Sequence, residues 1–156
     1  MKKSIVIIGL IVSCATVSLT GTVVASGAVR HADCVEGVKK INGVNARTFC
    51  GPARATVRVN GKTITYKGGE CGTGLGQFSV NIGTVVLGTL KNKPDYFGVA
   101  AVAKPGTHAR QTVAVVHAGK TLASIGTVTL KRGLRSGTFS GTVFGSSTVV
   151  SGSFTC

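Results

Sequence analysis

The run Ala55-Thr56-Val57-Arg58-Val59, Asn60-Gly61, Lys62-Thr63-Ile64-Thr65-Tyr66 decides the fold class. Two alternating stretches flank an Asn-Gly dipeptide. A type I′ hairpin loop needs positive φ at both of its positions, and Asn-Gly supplies that at least strain. A two-residue loop also fixes the register. It sets Val59 opposite Lys62, Val57 opposite Ile64 and Ala55 opposite Tyr66 on one face. The other face carries Arg58 opposite Thr63, Thr56 opposite Thr65 and Arg54 opposite Lys67. One face is apolar; the other is basic and hydroxylated. Because side chains alternate with a period of two, a slip of one residue would exchange the faces.

Further strands are expected along the rest of the chain. Residues 77–82 alternate, with Phe78, Val80 and Ile82 on one face. Residues 84–90 and 96–103 are apolar on both faces and read as central strands joined by Asn92-Lys93-Pro94-Asp95. Lys104-Pro105-Gly106 turns into a strand over 112–118, and Ala118-Gly119-Lys120 turns into strands over 121–125 and 126–131. Residues 135–144 and 148–156 form a closing hairpin around Gly145-Ser146-Ser147, with Val150, Gly152, Phe154 and Cys156 sharing the inward face. Short strands at regular spacing between turn residues predict an all-β antiparallel β-sandwich or partly closed barrel of about eight to ten strands.

Composition agrees. The 156 residues include 23 Gly, no Trp and one Met, and Val and Thr are abundant. That suits strands cut by turns and disfavours helical bundles and coiled coils. Only 14% of residues are charged, which argues against disorder.

The N-terminus reads as an export signal. Lys2 and Lys3 precede a charge-free stretch over residues 4–29, whose strongly apolar block is only 5–12. That is the size of a signal-peptide core, with small residues after it and cleavage expected between Ala25 and Val29. A retained anchor is a second reading. A third is lipidation of Cys14, since Ile11-Val12-Ser13-Cys14 loosely fits a bacterial lipobox. The expected organisation is a signal peptide over 1–28, a disulfide-looped segment over 29–54 and a β domain over 55–156.

Removal of the signal takes Cys14 away and leaves Cys34, Cys50, Cys71 and Cys156. An even count in an exported chain predicts two disulfides, for which three connectivities exist. Cys34 and Cys50 bracket a polar segment around Asn42-Gly43, and a local pairing of these two leaves Cys71 with Cys156. The spacings suit staples rather than zinc, for there is no Cys-x-x-Cys or paired-His motif.

Motifs that carry chemistry are scarce. Gly72-Thr73-Gly74-Leu75-Gly76 is followed by Gln77 where a dinucleotide loop needs Gly, and Ala114 stands where a P-loop before Gly119-Lys120-Thr121 needs one. Among the four acids, Asp33, Glu36, Glu70 and Asp95, only Glu70 and Asp95 offer a pair for general acid–base work. His31 and His108 fall outside strands, and His117 reads as a packed or edge histidine. No nucleophile-elbow pattern accompanies them. Neither a catalytic residue, a cofactor site nor a metal site is expected.

Charge is the remaining feature. Eighteen Lys and Arg against four acids give +14, a field that attracts anionic partners. The candidate anion-binding residues are Arg54, Arg58 and Lys67 on the hairpin face, with Lys131, Arg132 and Arg135 in a basic turn. Aromatic platforms for single-stranded nucleic acid are poorly supplied, so no sequence-specific nucleic-acid role is expected.

The runs Ala55-Thr-Val-Arg-Val-Asn-Gly-Lys62, Gly69-Glu70-Cys71 and Phe78-Ser-Val-Asn-Ile-Gly83 resemble the LpqH-type mycobacterial lipoprotein antigen family, as does the ending Gly137-Thr-Phe-Ser-Gly141 through Gly152-Ser-Phe-Thr-Cys156. The resemblance spans about Ala55 to Cys156. It implies a surface-exposed β domain without enzymatic activity, antigen-like, with Cys71 bonded to Cys156. Cys14 departs from that family in lying within an apolar stretch, and residues 34–50 have no counterpart in it. The expectation is a non-enzymatic, monomeric module of the cell envelope or a secreted one. Its alternatives are a binder of anionic envelope polymer, acidic lipid or nucleic acid and, third, a wall-polymer hydrolase.

Overall fold

Asn60 and Gly61 both adopt positive φ, 48° and 73°, so the deciding hairpin turns as its sequence requires. The computed structural model describes residues 34–156, and it repeats this loop chemistry three more times. Asn42-Gly43, Leu75-Gly76 and Ala118-Gly119 all place a left-handed residue before a left-handed glycine. The signal peptide expected over 1–28, with Cys14, lies outside the described residues, as do His31 and Asp33.

Ten strands follow: β1 (Gly37–Ile41), β2 (Val44–Phe49), β3 (Ala53–Val59), β4 (Lys62–Gly74), β5 (Gln77–Val86), β6 (Tyr96–Val102), β7 (Gly106–His117), β8 (Lys120–Leu130), β9 (Ser136–Val143) and β10 (Val149–Thr155). Neighbours run β1-β2-β5-β4-β3-β10-β9-β8-β7-β6, and a further β5–β6 ladder joins the ends, all antiparallel. Strands β3 to β10 thus close into an eight-stranded barrel, the closed form of the expected sheet. Closure leaves those strands few free edges.

The β3–β4 register is the expected one, from Val59↔Lys62 through Arg54↔Lys67. Its apolar face points into the barrel. Ala55, Val57 and Tyr66 join Phe78, Val80, Ile82, Phe97, Val99, Val113, Val115, Val128, Leu130, Phe139, Val150 and Phe154 in one buried cluster. Side chains fill the interior, as they do in small eight-stranded barrels. Aromatic rings pack through it: Phe97 lies 5.2 Å from Phe139 and Phe78 lies 5.8 Å from Phe154, centroid to centroid.

Several boundaries differ from the sequence reading. Of the strand expected over 84–90, residues 84–86 continue β5 through Gly83, whose positive φ of 89° bends it, and residues 87–90 belong to the connection to β6. The two strands expected over 121–131 are one, β8. Strand β7 begins at Gly106, and an irregularity between His108 and Gln111 breaks its ladder to β8. The segment over 34–50 is a hairpin rather than a loop. Its β2 pairs with Gly83 to Val86 of β5, starting where β4 leaves β5 at Gly69↔Ile82. Strand β3 starts at Ala53, so the expected boundary between 54 and 55 falls inside a strand.

Cys34 is bonded to Cys50, and Cys71 to Cys156. The first bond clips the β1–β2 hairpin beside the barrel. The second ties β4 to the end of β10, and both of its sulfurs pack against the core.

Candidate functional site

Antiparallel pairing lines up outward side chains in rows across neighbouring strands, about 4.8 Å apart. One row runs Thr65 (β4), Thr56 (β3), Ser153 (β10), Thr138 (β9), Thr129 (β8) and Thr107 (β7). The next runs Thr63, Arg58, Ser151, Ser140 and Thr127. On the other flank run Lys67, Arg54, Thr155 and Ser136. The outer wall of β4, β3, β10, β9 and β8 is therefore a grid of hydroxyls bordered by cations. Only Thr107 and Thr129 in the first row bond each other, at 3.0 Å.

The sequence signal for the wall was the alternation of Ser and Thr along β8, β9 and β10. Alone it says only that one face of each strand is polar. The ladders turn it into continuous rows.

The first group of candidate cations lies on this wall; the second lies at its end, where Lys131 bonds Ser136 and Arg135 lines a recess with Cys71, Leu134 and Cys156. Arg54, Arg58 and Lys67 are exposed on its outer face. Lys131, Arg132 and Arg135 belong to the β8–β9 connection, held by bonds from Leu134 N to Lys131 O (3.0 Å) and from Lys131 N to Ser136 O (2.9 Å). Arg135 precedes Ser136, which ends the row begun by Lys67 and Arg54. Its carbonyl accepts the Cys156 amide at 2.8 Å, so the closing disulfide also anchors the basic turn. No Asp or Glu follows Asp95 in the sequence. A recess of about 340 Å³ opens on the wall among Thr56, Arg58, Ser151, Gly152 and Ser153.

Glu70 and Asp95 have partners of their own. Glu70 sits 3.8 Å from Arg47, and Asp95 bonds His117 at 3.0 Å, so Glu70 and Asp95, the two acids the sequence offers as a possible pair, have different partners. Asp95 also accepts the Ala118 amide at 3.1 Å, which latches the β5–β6 connection to the β7–β8 turn. His117 and Asp95 are about half exposed. The recess beside His117 is lined by Val59, Asn60, Lys62, Thr63, Ile64, Ala118, Lys120 and Leu122, without Ser or Cys. Among the described residues no cluster of His, Cys, Asp and Glu is arranged to hold a metal ion. No helix there is long and apolar enough to cross a membrane.

Two tyrosines are held protonated. Burial, then the charge of Asp95, pushes Tyr66 well above the ordinary tyrosine value, and burial raises Tyr96. The Tyr66 hydroxyl donates to Val116 O at 3.0 Å and that of Tyr96 to Asn81 Oδ1 at 2.7 Å. Both serve the fold rather than an open site.

Comparison of the chain with family models, curated proteins and solved structures finds no match.

Proposed function

We propose that this chain is an exported, non-enzymatic interaction module of the cell envelope or the secreted fraction, and that it binds anionic polymers through its outer wall. The observation that carries the reading is the row geometry. Arg54, Arg58 and Lys67 share one wall with rows of hydroxyls, and the row of Lys67 and Arg54 runs through Thr155 to Ser136, next to the Lys131–Arg135 turn. A polymer lying across the strands meets a hydrogen-bonding or cationic group about every 4.8 Å. Clustered cations release counterions together, so affinity should fall steeply with salt.

The filled barrel interior supports a surface role over a ligand carried inside. Two disulfides suit an oxidising compartment. The likeness of residues 55–156 to LpqH-type antigens points the same way. Among the described residues the Asp95–His117 pair is the one feature favouring a hydrolase, and the neighbouring recess gives it no serine or cysteine to activate.

Titration with linear polyphosphate at several salt concentrations tests the proposal. Saturable binding with a steep salt slope is expected; no binding at physiological salt would contradict it. Export is read from the intact mass of the protein recovered outside the cell. The reading expects an N-terminus between Ala25 and Val29, and a chain starting at an acylated Cys14 would replace the signal-peptidase reading with a lipoprotein one.

A further inference from the structure

The closed barrel still has an open edge. Strand β4 pairs with β5 only from Gly69 to Gly74, while its first half, Lys62 to Lys67, has β3 as its sole strand partner among the described residues. Strand β2 has taken the place beside β5 that this half of β4 would otherwise fill. A two-residue loop makes Val59 and Lys62 a mutually hydrogen-bonded pair, and such pairs alternate along the ladder. The main-chain groups of Lys62, Ile64 and Tyr66 therefore face β3. Those of Thr63, Thr65 and Lys67 face away from it, toward the vacant side. Thr63, Thr65 and Lys67 are exposed.

A recess of about 480 Å³ adjoins this edge. Val59, Ile64 and Leu122 supply its apolar surface, and Lys62 and Lys120 its charge. Side chains on an added strand would alternate. Those on one face would meet the apolar recess; those on the other would lie on the outer side beside Lys67. Exposed edges of this kind are managed in proteins by lysines, and are also where extended peptides dock.

We propose that the free edge of β4 accepts an extended peptide segment as an added strand, with apolar side chains alternating with acidic ones. Charge selects this occupant over a second copy of the chain. A copy offers two open edges, β1 with Lys39 and Lys40 and the same half of β4 with Lys62 and Lys67, and either would set lysines against Lys62, Lys67 and Lys120. The inference shares Lys67 with the polyanion wall but otherwise uses groups outside it, the backbone amides of β4 and the recess at the barrel end.

The test uses the full protein and the capped peptide acetyl-(Glu-Val)₃-amide, with hydrogen exchange read at single amides by NMR. The Thr63 and Thr65 amides should exchange freely in the protein alone and slow at least tenfold at saturating peptide. Lys62→Ala with Lys120→Ala should weaken binding about fivefold or more. Thr65→Pro removes an amide that the β3 ladder does not use, so folding should survive and binding fall at least tenfold. Should that variant misfold, a peptide N-methylated at alternate residues asks the same question of the unaltered protein, and it should not bind.

The proposal is overturned if both amides stay unprotected with peptide present. It is equally overturned if they are already protected in the protein alone, which would mean that residues 1–33 or a second copy covers the edge. Equal protection by acetyl-(Lys-Val)₃-amide would overturn the acidic specificity. Binding lost on Arg54→Ala, Arg58→Ala and Lys67→Ala but kept in Thr65→Pro would assign the peptide to the outer wall instead.

Discussion

The hydroxyl of Tyr66 on β4 donates to the main-chain carbonyl of Val116 on β7, 3.0 Å away and fifty residues along the chain. The phenol is buried, and its ring lies 5.8 Å from that of Phe97. This bond links β4 to β7 at the level where β4 has parted from β5. It holds the end of the barrel together where no ladder joins the two strands.

Tyr66→Phe should therefore cost about 1–2 kcal/mol in urea denaturation at neutral pH, because a buried acceptor loses its donor. The pH dependence has a definite sign. Tyr66 ionises in the fold only far above the ordinary value of 10.0, chiefly through burial. Below about pH 10 neither state ionises and its contribution is intact; above it the unfolded chain loses a proton that the fold retains, so stability falls. Wild-type stability should drop more steeply than that of Tyr66→Phe from pH 10 upward, and parallel curves would contradict this.

The two disulfides should differ in weight. Cys71–Cys156 closes a loop with a sequence separation of 85 and Cys34–Cys50 one of 16. In the chain-entropy model they contribute about 4.6 and about 3 kcal/mol. The longer link also packs on the core, whereas the shorter clips a hairpin outside the barrel. Denaturant midpoints of the two double-alanine variants should fall in that order.

Gly152 is required by close approach rather than by φ. A Cβ there would run into the Thr56 carbonyl and come within 2.8 Å of the Phe139 ring. Gly152→Ala should cost about 2–3 kcal/mol as overpacking. Gly72→Ala, whose Cβ would meet only Ser79 Oγ at 3.7 Å, should stay within about 0.5 kcal/mol. Equal thermal shifts in the two variants would contradict this account of the close approach at Gly152.

Leu75 occupies the left-handed region, φ 50°, at a fully exposed hairpin tip. A leucine there is strained by about 1–2 kcal/mol, a strain that asparagine largely avoids. Leu75→Asn should raise stability by about 0.5–1 kcal/mol, measurable as a higher Tm.

What was legible in the sequence was local. Asn60-Gly61 fixes β3 against β4 because a two-residue loop leaves one register, and the alternation over 148–156 correctly turns Val150 and Phe154 inward. Joining β3 to β10 is a pairing between distant segments that no turn encodes, so sandwich and barrel were both open. The β1–β2 hairpin looked coreless because it buries little, chiefly Ala46 and Phe49, and Phe49 packs beside Tyr96 of another strand. Gly83 and Gly126 each sit mid-strand: the first bends β5, and the second lies close against the β9 backbone. Read along the chain, such glycines look like breaks, and Gly126 therefore divides β8 into two expected strands. The basic residues were legible singly. That the row of Arg54 runs to Ser136, next to the basic turn, depends on the β3–β10–β9 ladders.

The most direct test of the wall compares two triple variants of equal formal charge. Arg54→Ala, Arg58→Ala and Lys67→Ala remove the cations of β3 and β4 on the wall; Lys91→Ala, Lys93→Ala and Lys104→Ala remove cations from connections outside it. Linear polyphosphate affinity is measured for both across a salt series. The wall variant should lose about 2 from the slope of log K against log salt, near 0.7 per phosphate contact, and the other variant much less. Equal slopes and equal losses of affinity in the two variants would show that net charge alone attracts the polymer, and would contradict the assignment of this wall as the binding site.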